Sequence, residues 1–167
     1  MRIFKEEQRF TQTWLVIVML MSTLVPFGII VNEFTKEEST MTINELFLVM
    51  TIMLVAVVPI FFFKLYTRID EKGVHYRFFP IHFNYKSVYW NELENCFVRK
   101  YDAISEYGGW GFKGGALWKK SNGKAINVSG EIGIQLHFKN GKKLLIGTQK
   151  EAEANSVLKT YSDKIEN

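Results

Sequence analysis

Residues 14–31 read WLVIVMLMSTLVPFGIIV, 18 positions without a charge, and residues 46–63 read LFLVMTIMLVAVVPIFFF, another 18 without one. At 1.5 Å rise per residue each run makes about 27 Å of helix, close to the ~30 Å hydrocarbon core of a bilayer. A core helix of a soluble protein keeps a polar stripe on its outer face, and neither run has one. The sequence therefore predicts two transmembrane helices, 14–31 and 46–66, joined by an external loop, 32–45. The leader 1–13, MRIFKEEQRFTQT, carries Glu6 and Glu7. The run after it is too long for the apolar stretch of a signal peptide, and no A-x-A-like site follows, so it reads as an anchor. Pro26 and Pro59 are tolerable inside such spans, where Ser22 and Thr23 can serve freed backbone groups, and local kinks are expected. Trp14 at one end, and Phe61, Phe62, Phe63 and Tyr66 at the other, suit the headgroup level.

Charge sets the orientation. The leader has Arg2, Lys5 and Arg9, and Lys64 and Arg68 follow the second run. The connector NEFTKEESTMTINE holds Lys36 against Glu33, Glu37, Glu38 and Glu45. The positive-inside rule places both termini in the cytoplasm of a multi-pass cell-membrane protein. The single cysteine, Cys96, excludes an intramolecular disulfide.

Beyond the second run the texture changes to short alternating segments between turn signals. LYTRI and VHYRFF flank DEKG, SNGK joins GALWK to AINV, and KNGK joins IGIQLHF to LLIGT. Asn122-Gly123 and Asn140-Gly141 between alternating runs are hairpin signals. A longer strand is expected around LENCFVRKY. Thr148 to Glu151 has the letters of a capping box, and Ala154, Val157, Leu158, Tyr161 and Ile165 recur at helical spacing. About seven strands are thus followed by one amphipathic helix. The fold class is a membrane protein of α+β type, a two-helix transmembrane hairpin followed by an antiparallel barrel or sandwich, residues 67–167, closed by a C-terminal helix.

Trp90 with Glu92-Leu93, the pair Tyr101-Asp102, Tyr107-Gly-Gly-Trp-Gly, Asn127-Val-Ser-Gly and the Leu-Ile-Gly-Thr-Gln lead into the last helix together resemble the bacterial pleckstrin-homology-like (PH-like) proteins that carry a membrane hairpin in front. The resemblance covers roughly residues 65–167 and implies a PH-like fold in a cytoplasmic, membrane-tethered setting. That group has no agreed activity, so no catalytic residues follow. Basic residues across the first hairpin are Arg68, Lys72 and Arg77, and phosphoinositide recognition is not carried over.

GWGFKG (Gly109, Gly111, Gly114) satisfies the pattern G-x-G-x-x-G of a dinucleotide turn. Such a turn needs a parallel strand before it and a helix after it, whereas ALWKKSNGK reads as a strand and a hairpin turn. Nor does the stretch match the aromatic strand of RNA-recognition modules, since Gly108 stands where a basic residue belongs and Gly115 where an aromatic does. Glycines beside Trp110 instead suit a bulge or sharp bend. A functional variant has Trp110, Lys113, Lys119, Lys120 and Lys124 touching a partner or headgroups. His75, His82 and His137 lack ligand spacing, and no nucleophile elbow, HExxH or P-loop occurs.

Residues 64–167 hold 17 Lys and Arg against 11 Asp and Glu. For a domain tethered beside the inner leaflet, anionic lipid is the nearest polyanion. The expected function is non-enzymatic: a cytoplasmic binding or scaffolding module without cofactor, metal or nucleic acid. Its expected partners are the lipid bilayer, anionic phospholipid headgroups and another membrane or cytoplasmic protein. The rival is an accessory subunit of a membrane enzyme or transporter whose site forms only with a partner.

Overall fold

The residues read as a leader alternate in burial: Phe4, Glu6 and Gln8 face inward, while Lys5, Glu7 and Arg9 face out. A period of two is the signature of a strand. In the computed structural model, which describes residues 2–37, 39–114 and 122–166, this segment is strand β1 (Phe4–Arg9). It pairs antiparallel with β2 (Lys64–Asp70), Phe4 opposite Ile69 and Arg9 opposite Lys64. The expectation of a separate leader, 1–13, is thereby corrected. The chain forms two units, Met1–Arg9 with Phe63–Asn167, and Phe10–Phe62.

The second unit holds helix α1 (Thr13–Phe34) and helix α2 (Ile43–Val57), which passes into a 3-10 turn, Val58–Phe62. Both segments are long and apolar enough to cross a membrane, and none of their residues is buried within the chain. Thr42 caps α2, its Oγ1 accepting from the Glu45 N–H at 3.3 Å while the Glu45 carboxylate accepts from the Thr42 N–H at 2.8 Å. Regular α-helix ends just before Pro59, as expected where a proline removes a donor. At Pro26 the hydroxyls of Ser22 and Thr23 both donate to the Met19 carbonyl, at 3.0 and 2.8 Å, and so do not serve the carbonyl that Pro26 leaves free. The second span does not reach residue 66, and the sheet unit does not begin at 67, because Lys64 to Tyr66 already belong to β2.

In the first unit, β1 and β2 continue through β3 (Gly73–Phe79) and β4 (Lys86–Tyr89) as a four-stranded antiparallel meander, sheet A. A second sheet, sheet B, runs in the order β5 (Leu93–Lys100), β8 (Ile132–Phe138), β9 (Lys143–Gly147), β7 (Lys124–Asn127), β6 (Gly111–Lys113). All its pairs are antiparallel except β7 with β9. One-turn helix α3 (Ala103–Tyr107) follows β5, and α4 (Glu151–Thr160) and α5 (Asp163–Glu166) end the chain. The described residues thus form nine strands in two sheets and no closed barrel, where about seven strands were expected. The β2–β3 and β8–β9 hairpins lie where their turns were read. Gly141 takes φ +78° in the latter, and the Phe138 N–H donates to the Lys142 carbonyl at 2.9 Å. The strand read at GALWK lies outside the described residues.

The core is built from inward faces such as Phe4, Leu65, Phe78, Ile134 and Leu145, all at most 1% exposed. Trp90 donates from its indole to the Asp70 carbonyl at 3.1 Å and stacks on Tyr161, so it ties the meander to the C-terminal helices. The capping box expected at Thr148 does not form. Thr148 is buried, and its hydroxyl donates instead to the equally buried Glu6 carboxylate at 2.6 Å. Lys150 takes the N-cap position, and its side chain does not cap the helix.

Candidate functional site

Asp102 caps α3, its Oδ1 accepting from the N–H groups of Ile104 and Ser105, each at 2.9 Å. Gly108 ends the helix in the left-handed region at φ +73°, and Gly109 and Gly111 follow at +112° and +115°, a corner that only glycine makes without strain. The Trp110 ring packs against the cluster of Tyr101, Ala103, Tyr107, Ala125 and Leu145, and its indole donates to the Gly130 carbonyl at 3.3 Å. Buried Asn127 accepts from the Gly111 N–H at 2.9 Å and donates to the Tyr101 hydroxyl at 3.0 Å. Burial pushes that phenol up to about 12. The G-x-G-x-x-G letters therefore follow one-turn helix α3 and run into β6, a strand paired antiparallel with β7, and among the described residues no parallel strand precedes them.

Beside this corner lies a polar network. The Arg99 guanidinium donates to both Glu106 carboxylate oxygens, at 3.1 and 2.7 Å, to the Tyr107 hydroxyl at 3.1 Å and, through Nε, to Gln135 at 3.0 Å. The hydrogen bonds from Arg99 hold the Glu106 carboxyl below its ordinary range. A carboxylate fixed in this way is a brace for α3 and a poor proton acceptor.

On the outer face of the meander a groove of about 750 Å³ includes Lys5, Glu7, Tyr66, Arg68, Lys72 and His75. The arginine among its basic groups is answered locally. Asp70 meets Arg68 at 2.9 Å, the His75 ring at 3.1 Å and the Lys72 N–H at 2.9 Å. Burial opposes charge on Asp70, yet these partners outweigh it and hold the carboxyl below its ordinary range. Arg77 lies over the Tyr66 ring, 4.3 Å from its centroid. The three basic residues of the first hairpin thus do not converge on an open anion site.

Sheet B gathers charge differently. The register sets Lys113 opposite Ala125, Lys124 beside Leu144 in the parallel pair, and Lys143 opposite His137. The turn between β8 and β9 adds Lys139 and Lys142. One end of the sheet therefore carries Lys113, Lys124, Lys139, Lys142 and Lys143, and among the described residues none of the five is in an ion pair. A cleft of about 470 Å³ opens there, with Tyr76, Phe138 and Leu144 as its apolar wall and Lys124, Lys142 and Lys143 as its basic one. Of the residues singled out from the sequence, Lys113 and Lys124 lie at this end. Trp110 lies towards the opposite end, next to the Gly111–Asn127 pair, and Lys119 and Lys120 fall outside the described residues. The additional lysines belong to the KNGKK turn, whose letters had served only as a hairpin signal. Among the described residues no group of three His, Cys, Asp or Glu side chains could hold a metal ion.

Comparison with protein-family models, with curated proteins and with solved structures returns no match for this chain.

Proposed function

We propose that the chain is a two-span membrane protein whose sheet unit is a PH-like, non-enzymatic binding module on the cytoplasmic side, with the lysine end of sheet B as its contact for anionic phospholipid headgroups. The observation that carries the reading is the convergence of five lysines, without ion pairs among the described residues, around a partly apolar cleft. Each lysine near an anionic surface contributes up to ~1 kcal/mol, so together they supply a multivalent attraction of several kcal/mol. The PH-like reading is supported by the order of elements: a four-stranded meander, then β5, β8 and β9 as a second meander, then a helix, with β6 and β7 as an added arm. Same-side placement of the two arms of the unit is supported by the β1–β2 ladder, because hydrogen-bonded strands cannot lie on opposite faces of a bilayer.

The test is lysine acetylation of the full chain reconstituted in phosphatidylcholine vesicles, with and without phosphatidylglycerol, read residue by residue by mass spectrometry. Phosphatidylglycerol should slow modification of Lys113, Lys124, Lys139, Lys142 and Lys143 relative to Lys100 and Lys159. Raising the salt should restore it, since the Debye length falls from ~10 Å at 0.1 M to ~3 Å at 1 M. Reactivity that is the same in both lipids would refute the headgroup contact.

A further inference from the structure

Between Phe79 and Lys86 the meander makes a loop, PIHFNY, whose side chains alternate in an unusual way. His82 is buried, its ring edge-on to Tyr76 and Phe112 with centroids 5.8 and 5.3 Å away, and its backbone N–H donates to the Phe78 carbonyl at 2.7 Å. Pinning His82 inward turns its neighbours outward, and Phe83 is 73% and Ile81 48% exposed. The exposure is thus built into the fold by the His82 anchor. Two large apolar groups held in water on one loop, with Tyr85 48% exposed beside them, are a candidate contact surface.

The position of the loop says which surface. Arg9 pairs with Lys64, and Lys64 pairs with Phe79, so the loop leaves sheet A at the same end from which the chain departs for α1 and returns from the 3-10 turn. One residue, Phe63, separates that turn from β2, a reach of at most ~7 Å to Lys64. Charge agrees: from Lys72 to Asn91 the chain has no Asp or Glu, while Lys72, Arg77 and Lys86 are present, so nothing in the loop or its strands repels an anionic interface. We propose that the loop Pro80–Tyr85 is an interfacial wedge, with Phe83 and Ile81 seated among lipid headgroups and upper acyl chains. Aromatic and aliphatic side chains at that depth are favourable, and the wedge fixes which end of the sheet unit meets the bilayer. It rests on the reading of Thr13–Phe34 and Ile43–Phe62 as spans and needs no lysine contact.

Nitroxide labels test it. Phe83→Cys, Ile81→Cys, Ile52→Cys and Ile104→Cys are made singly in a Cys96→Ser chain, reconstituted in vesicles of phosphatidylcholine alone. Collision with oxygen is compared with collision with a water-soluble nickel complex. Labels at 83 and 81 should favour oxygen, as at 52 in α2, while 104, exposed on α3 at the end of sheet B away from the lysines, should favour nickel. A label at 83 or 81 as open to nickel as 104, with 52 in lipid, overturns the wedge and leaves the spans standing. A label at 52 that favours nickel overturns both readings. Because the lipid is neutral, failure of the lysine contact cannot imitate failure of the wedge.

Discussion

Removing β1 should abolish the independent folding of the sheet unit, although its six residues lie on the far side of both helices in sequence. Phe4 is fully buried, worth about 1.5–3 kcal/mol. Glu6 accepts from the Thr148 hydroxyl at 2.6 Å and from the Gln149 N–H at 2.7 Å, and Gln8 donates to the Gly147 carbonyl at 2.7 Å. At ~1 kcal/mol for each bond the strand contributes on the order of 5 kcal/mol, comparable with the whole stability of a small domain. Two soluble chains separate the possibilities: residues 64–167 alone, and residues 1–9 joined to 64–167 by Asn-Gly. A two-residue turn suffices because Arg9 and Lys64 stand opposite each other in the ladder. In urea, followed by circular dichroism, the joined chain should unfold cooperatively. The shorter chain should show no transition or a midpoint lower by at least about 2 M, given slopes of ~1–3 kcal/mol/M. Equal midpoints would show that β1 is dispensable and that the energies above are misassigned. Phe4→Ala in the joined chain should itself lose ~3–5 kcal/mol.

In the same joined chain, Gly109→Ala and Gly111→Ala should each lose more than ~1 kcal/mol, because both glycines sit at positive φ with open space around them, so any loss reports the backbone. Gly114→Ala, with no positive φ and nothing within 4 Å, should be neutral, and equal losses at all three would discard the conformational explanation. In intact cells, or spheroplasts where a wall blocks access, a cysteine at Thr40 in a Cys96→Ser chain should react with an impermeant maleimide, whereas cysteines at Lys5 and Lys159 should react only after lysis. Labelling of Lys5→Cys but not Lys159→Cys would break the β1–β2 ladder as a topological constraint.

Each part of the fold was legible where one local signal went unopposed. The apolar runs of α1 and α2 carry no charge, and Asn140-Gly141 sits between strictly alternating residues, so two long apolar helices and the last hairpin were legible from letters alone. Strand β1 was hidden because two of its three inward positions are Glu6 and Gln8, which mask the period of two. Their partners, Gly147 to Gln149, are more than a hundred positions away. The same partnership withdrew Thr148 from its capping box. The lysine end was only half visible: Lys113 and Lys124 were singled out for sequence proximity to Trp110, yet register sends that tryptophan away from them. The parallel β7–β9 pair brings in Lys142 and Lys143 instead. Pairing across a long sequence separation has no local signature, and that is where the site reading departed from the structure.

The β1–β2 ladder also changes what the helices do for the domain. A span attached through one strand would leave the sheet unit free to swivel on a single tether. Here the segment Phe10–Phe62 takes the place of a hairpin turn, entering after Arg9 and leaving before Lys64. Two adjacent strands of the sheet unit are therefore joined to the helices at the same end. Under the proposed reading that end is the one bearing the Phe83 loop. Phe112, next to Lys113, stacks on Phe78 at 6.5 Å and meets His82 edge-on, so the lysine end of sheet B adjoins the same loop. An apolar wedge and a basic rim joined by packed aromatic rings would then act on the bilayer as one surface.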